Sequence, residues 1–84
     1  MIRILYFARF REQLGLAEET VACPSGIATA ADLLAHLRDR GGVWANTLRE
    51  GERLMIAVNQ EIVRPEVTIR DGDEIGIFPP VTGG

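Results

Sequence analysis

One clear amphipathic helix constrains this chain more than any other feature. Ala30, Leu33, Leu34 and Leu37 fall at i, i+3, i+4 and i+7, a single apolar stripe. A lone helix with one apolar face cannot close a core on itself, so it must bury that face against other elements, and strands on both sides of it in the sequence suit a helix packed across a mixed sheet. Thr29 is placed to N-cap it, and Asp32 sits at the third helical position beside the positive end of the dipole. The spacing predicts a helix from Ala30 to about Arg40, with Arg38 and Arg40 in its last turn and Gly41-Gly42 as a left-handed exit.

Strand patterns flank this helix. Residues 2–8, Ile-Arg-Ile-Leu-Tyr-Phe-Ala, are β-branched and aromatic, and predict a first strand. Arg9 to Leu14 suits one or two helical turns ending at Gly15, and Glu19 to Cys23 a second strand closed by Pro24-Ser25-Gly26. After so short an excursion the second strand pairs most simply antiparallel with the first. Beyond the helix, Val43 to Glu50 predicts a short second helix, with Trp44 and Leu48 four apart and Gly51 breaking it. Leu54 to Val58 is a continuous apolar run and so predicts a strand central in a sheet. Asn59-Gln60-Glu61 turns the chain into a short strand at Ile62-Val63, which Pro65 stops. Asp71-Gly72-Asp73 turns it into a last strand, Glu74 to Phe78, ended by Pro79-Pro80. With the first strand central and the last beside it, the expected fold is α+β. It is a ubiquitin-like β-grasp, a mixed sheet with one main helix on one face and a short second helix. Residues 1–78 form the domain and 79–84 an extended tail ending in Gly-Gly.

Few function classes survive the composition. A 46% hydrophobic and 25% charged balance belongs to a folded domain, and 84 residues leave no room for a separate catalytic one. All nine basic residues are arginine, scattered without a run, and the net charge is −3, so no nucleic-acid-binding stripe is expected. No apolar run is long enough to span a membrane and no signal-type segment opens the chain, so it reads as cytosolic. Cys23, the lone cysteine, excludes an internal disulfide and a Cys-based zinc site, and reads as a small buried hydrophobe. His36 lies about 110° around the helix wheel from the apolar stripe and reads as a surface residue. Ser25 sits in a turn without a nucleophile setting, and the acids at 71–74 lack calcium-loop spacing. No metal site is expected, and the side chains offer no catalytic chemistry.

The tail does offer chemistry. Two prolines hold the departing segment extended, and Pro79 to Gly84 can reach about 20 Å. Gly83 and Gly84 have no side chains, so the thread fits a channel too narrow for a Cβ. The α-carboxylate of Gly84 is then the reactive group at the tip. It is ionised near neutrality and a poor electrophile until something activates it, most directly adenylation by ATP on another protein.

Alternation along the strands also locates a partner surface. Arg3, Leu5 and Phe7 share one face of the first strand, and Arg3 favours solvent, so Leu5 and Phe7 are expected to be exposed on the side away from the helix. Glu74 and Phe78 share parity in the last strand, leaving Ile75 and Ile77 for the core. Phe7 and Phe78 would then form an exposed aromatic patch beside the tail exit.

Over its whole length the chain resembles the small, sulfur-carrying subunits of molybdopterin synthase. The resemblance rests on Ile4-Leu5-Tyr6-Phe7-Ala8-Arg9-Phe10-Arg11-Glu12, on Ala57-Val58-Asn59-Gln60, and on Asp71-Gly72-Asp73-Glu74 leading to Phe78-Pro79-Pro80-Val81-Thr82-Gly83-Gly84. It implies that the Gly84 carboxylate is adenylated by an E1-like activating enzyme and converted to a thiocarboxylate, with a sulfurtransferase as sulfur source. The sulfur then passes to cyclic pyranopterin monophosphate inside a complex of two small and two larger subunits. It further implies partner contacts through Phe7, Ile62 and Phe78, a contact of Arg11 with the activating enzyme, and a partner channel around Pro79, Pro80, Val81 and Thr82. The small subunit itself would hold no bound cofactor. The alternatives are a thiamine-type sulfur carrier, a ubiquitin-like modifier ligated through Gly84, and a passive binding module. With no lysine of its own, a modifier of this sequence could not build chains on itself.

Overall fold

Alternation along the first strand sorts its side chains as the sequence predicts: Ile2, Ile4 and Tyr6 are buried, while Arg3 and Phe7 are exposed. The computed structural model describes residues 1–22, 26–50 and 53–80. In chain order the elements are β1 (Ile2–Tyr6), α1 (Ala8–Leu14), β2 (Glu18–Val21), α2 (Ala30–Arg38), α3 (Gly42–Thr47), β3 (Met55–Val58), β4 (Glu61–Val63) and β5 (Glu74–Phe78). The strands form one mixed sheet in the order β2-β1-β5-β3-β4. β1 pairs antiparallel with β2 and parallel with β5, while β3 runs antiparallel to both β5 and β4. This is the α+β, β-grasp arrangement expected from the element order.

Ala30, Leu33, Leu34 and Leu37 of α2 are buried, in one cluster with Ile2, Ile4, Tyr6, Ile56, Ile75 and Ile77 from the sheet. Full burial of such a side chain contributes about 1.5–3 kcal/mol, so the stripe that defines α2 also holds it on the sheet. A capping box fixes where α2 starts. The Thr29 hydroxyl accepts from the Asp32 amide, and the Asp32 carboxylate accepts from the Thr29 and Ala28 amides. Those two backbone donors, Ala28 first, hold the Asp32 carboxyl below its ordinary pKa.

Several boundaries differ from expectation. β1 ends at Tyr6 because Ala8, at φ 53°, turns the chain into α1. α2 stops at Arg38 with Asp39 as its right-handed C-cap, not at a left-handed glycine exit, and Gly41, whose φ of 76° with extended ψ suits only glycine, N-caps α3, which ends at Thr47. β2 ends at Val21, and Cys23, Pro24, Ser25 and Gly51 lie outside the described residues. Glu61, expected in the turn, already pairs with Val58, so the hairpin loop is the two residues Asn59 and Gln60, both at positive φ. The middle of the sheet is β5 rather than β1, since β5 arrives last and inserts between β1 and β3. β3 is interior, yet its apolar run is not buried on both faces: Ile56 is in the core, whereas Met55 and Ala57 face away from it.

Candidate functional site: the open face of the sheet

Helix α2 covers one face of the sheet, and strand register determines what the other presents. Leu5, Gly76, Ala57 and Ile62 form one cross-strand row over β1, β5, β3 and β4. Met55 stands opposite Phe78 in the next row. Ile62 is 60% exposed and Phe7 45%, high for large apolar side chains. Leu5, Met55, Ala57 and Phe78 are half-buried. The Phe7 and Phe78 rings meet edge to face, centroids 6.3 Å apart and planes at 84°. A shallow hollow lined by Leu5, Phe7, Ala57, Gln60, Glu74 and Gly76 lies beside them. At the far side Arg3 Nε donates to Glu18 Oε2 at 2.8 Å, giving the apolar face a charged border.

The backbone around Phe7 is tightly specified. Its N–H donates to the Ile77 carbonyl at 3.1 Å, and its own carbonyl accepts from the Phe10 and Arg11 amides. Phe7 therefore directly follows the strand and N-caps α1, and Ala8, at positive φ, makes the change of direction. On the core side, Tyr6 is held by a four-residue cluster. Its hydroxyl donates to Glu19 Oε2 at 2.7 Å, and Arg40 donates to both Glu19 oxygens at 2.9 and 3.0 Å. The Arg40 guanidinium lies over the Trp44 ring at 4.4 Å, and that ring meets Tyr6 edge to face. Burial alone would raise the Glu19 pKa, but hydrogen bonds from Arg40 and Tyr6, with the Arg40 charge, hold it below the ordinary value. Burial, then the bond to Glu19, pushes the Tyr6 phenol above its ordinary range.

Phe7, Ile62 and Phe78, separated by up to seventy residues of chain, thus lie on one face, but Leu5 and Phe78, expected to be exposed, are half-buried because neighbouring strands and the Phe7 ring cover part of them. Pro79 and Pro80 follow β5 outside any strand, next to that face. Arg11 is exposed on α1, within a turn of Phe7 but not part of the face. Val81, Thr82, Gly83 and Gly84 lie outside the described residues. Sequence reasoning missed Met55, Ala57 and Gly76. For Gly76 a signal existed, an isolated glycine inside a strand pattern, which marks close approach of another group. His36 is exposed on α2. Among the described residues no group of three or more His, Cys, Asp and Glu side chains is placed to hold a metal. Asp73 is engaged by the Arg70 amide and Asn59, as a turn residue would be. No helix among the described residues is long and apolar enough to cross a membrane.

A five-stranded mixed sheet, helix-covered on one face and apolar on the other, with a Pro-Pro segment leaving its central strand, defines a ubiquitin-like β-grasp domain. The ThiS family model matches residues 4–84. A molybdopterin synthase sulfur carrier subunit from Haemophilus influenzae is 39% identical over 84 residues, covering 100% of both chains. Among solved structures, a putative molybdopterin converting factor subunit 1 from Pyrococcus furiosus is similar, with TM-score 0.74 and 35% identity over 95% of this chain and 97% of that one. The small archaeal modifier protein 1 from Methanosarcina acetivorans is similar too, with TM-score 0.75 and 26% identity over 99% of this chain and 95% of that one. The chain belongs to the ThiS family and, within it, to the molybdopterin synthase sulfur carrier subunits.

Proposed function

We propose that Gly84 bears the sulfur this carrier delivers. Its carboxylate attacks the α-phosphorus of ATP on an E1-like activating enzyme, and pyrophosphate leaves. Hydrosulfide, released through a sulfurtransferase, then attacks the carbonyl carbon, AMP leaves, and loss of the thiol proton gives a thiocarboxylate. Inside molybdopterin synthase that sulfur bonds to a carbon of cyclic pyranopterin monophosphate and displaces an oxygen substituent from it, which leaves with a proton, so that Gly84 is joined to the pterin as a thioester. Water then cleaves the resulting thioester, returning the Gly84 carboxylate and leaving the thiol on the pterin. The larger subunit docks on the face of Leu5, Phe7, Ile62 and Phe78, with Arg11 reserved for the activating enzyme. Residues 79–84 then thread toward its substrate pocket, where Gly83 and Gly84 pass without a Cβ.

The observation that carries this reading is the end-to-end similarity to a molybdopterin synthase sulfur carrier, running through the Gly83-Gly84 terminus. The likeness to an archaeal modifier protein favours a second reading, ligation of Gly84 to target lysines. Intact-mass analysis after incubation with ATP, a sulfide donor and the activating enzyme separates the two. One oxygen exchanged for sulfur at the last residue supports the carrier, and isopeptide conjugates without the sulfur form would replace it with the modifier. Delivery of the sulfur to a thiazole precursor rather than the pterin would move the chain to thiamine-type carriage.

A further inference from the structure

Gly76 differs from the other described glycines. Gly15, Gly26, Gly41, Gly42 and Gly72 all have positive φ, with open space where a Cβ would point. Gly76 has no positive φ, so its backbone makes no demand for glycine. It occupies the middle of β5, the central strand, where a glycine forfeits both strand propensity and side-chain packing. What glycine provides here is clearance. A Cβ at this position would lie 3.3 Å from Phe7 Cε2 and 3.7 Å from the Ala57 Cβ. The first distance is tighter than a Cβ ordinarily tolerates, and the ring would have to yield.

We infer that Gly76 is a positioning residue for the docking face: its bare backbone is the floor on which the Phe7 ring lies. The Phe7 main chain is fixed on both sides by hydrogen bonds to Ile77, Phe10 and Arg11, so the ring, not the strand, moves when the floor is raised. Phe78 closes one side of the ring, edge to face. The half-exposed anchor is thus held in one orientation before a partner arrives, which reduces the freedom lost on binding. The inference rests on the reading that this face docks the larger synthase subunit.

The test is a double-mutant cycle on the full chain, with the dissociation constant for the larger molybdopterin synthase subunit of the same organism as readout. Phe7→Ala should weaken binding at least about tenfold, as expected for an aromatic anchor. Gly76→Val should weaken it by about tenfold while the free domain stays folded, the strand preference of a β-branched residue offsetting part of the cost of crowding the ring. Gly76→Ala should cost only about twofold, because a small tilt of the ring accommodates one methyl. The decisive protein is the double variant. If Gly76 acts through Phe7, it should bind within about twofold of Phe7→Ala alone. Wild-type affinity of Gly76→Val, or full additivity in the double variant, would overturn the inference, the latter by showing that the new side chain obstructs the partner directly. Should Gly76→Val fail to fold, Gly76→Ser, which adds one atom fewer, completes the same cycle. Unchanged affinity of Phe7→Ala would remove the docking reading itself and the inference with it. In the free domain, the Gly76 Hα resonances should shift on Phe7→Ala; their constancy would show that the ring does not lie over Gly76.

Discussion

Phe78→Arg separates folding from docking. Phe78 ends β5 opposite Met55, half-buried, with its ring edge to face against Phe7 at 6.3 Å. In the free domain the substitution removes that ring pair, about 0.5–1.5 kcal/mol. It also removes part of the side chain's burial, about 1 kcal/mol for a half-covered ring. The arginine stem recovers some of this by lying along Leu5 and Met55 while its guanidinium reaches water. The net loss should be about 1–2 kcal/mol, enough to lower the midpoint by roughly 5–15 °C in a domain of this size but not to unfold it. In the complex the guanidinium meets apolar surface without a carboxylate, and an unpaired buried charge costs about 3 kcal/mol or more. That is a loss of roughly a hundredfold or more in affinity for the larger subunit. Thermal unfolding by circular dichroism and calorimetric titration with the larger subunit measure the two effects. A variant that cannot fold alone would show that Phe78 is core, and one that folds and binds normally would show that the partner docks elsewhere.

Three further outcomes concern the framework that holds this face. Glu19→Ala leaves the Tyr6 hydroxyl and Arg40 without their shared acceptor, and should cost about 2 kcal/mol in urea unfolding near neutral pH. Because the folded-state pKa of Glu19 is lowered, its contribution is complete above the ordinary glutamate range and is lost as pH falls through the folded value. The stability gap between wild type and Glu19→Ala should therefore be flat from pH 7 to about pH 5 and shrink below it; a gap that grew on acidification would contradict the assignment. The raised pKa of Tyr6 acts at the other end: its contribution is complete below about pH 10 and lost as pH rises through the folded value. Thr29→Ala breaks the capping box of α2 and should lower stability by about 1 kcal/mol, measured by chemical denaturation, without changing affinity for the larger subunit.

What was legible in the sequence was what repeats locally. The period of Ala30, Leu33, Leu34 and Leu37 placed α2, and the parity of β1 and β5 placed Phe7 and Phe78 outside and Ile75 and Ile77 inside. Long-range pairing was harder to read. That β5 and not β1 sits mid-sheet depends on β3 closing against β5, which no local pattern encodes. The run from Leu54 to Val58 is apolar at every position, so its parity was hidden until Ile56 paired with Ile77 and turned Met55 and Ala57 outward. Its second apolar face therefore signals a surface to be covered, not a strand buried on both sides. The Tyr6, Glu19, Arg40 and Trp44 cluster joins four segments of chain, and nothing periodic links them. Gly76 was readable in principle, but only the position of the Phe7 ring shows what its missing side chain makes room for.

The central claim is that Gly84 delivers sulfur as a thiocarboxylate while docked through the open sheet face. Single-turnover transfer tests it most directly: chemically prepared Gly84 thiocarboxylate, mixed with the larger subunit and cyclic pyranopterin monophosphate, with no ATP or activating enzyme present. The account predicts that sulfur appears in the pterin product as the carrier returns to its carboxylate form, and that Phe78→Arg thiocarboxylate transfers far more slowly at limiting larger subunit. A thiocarboxylate that hydrolyses without sulfurating the pterin, or transfer indifferent to Phe78, would contradict it.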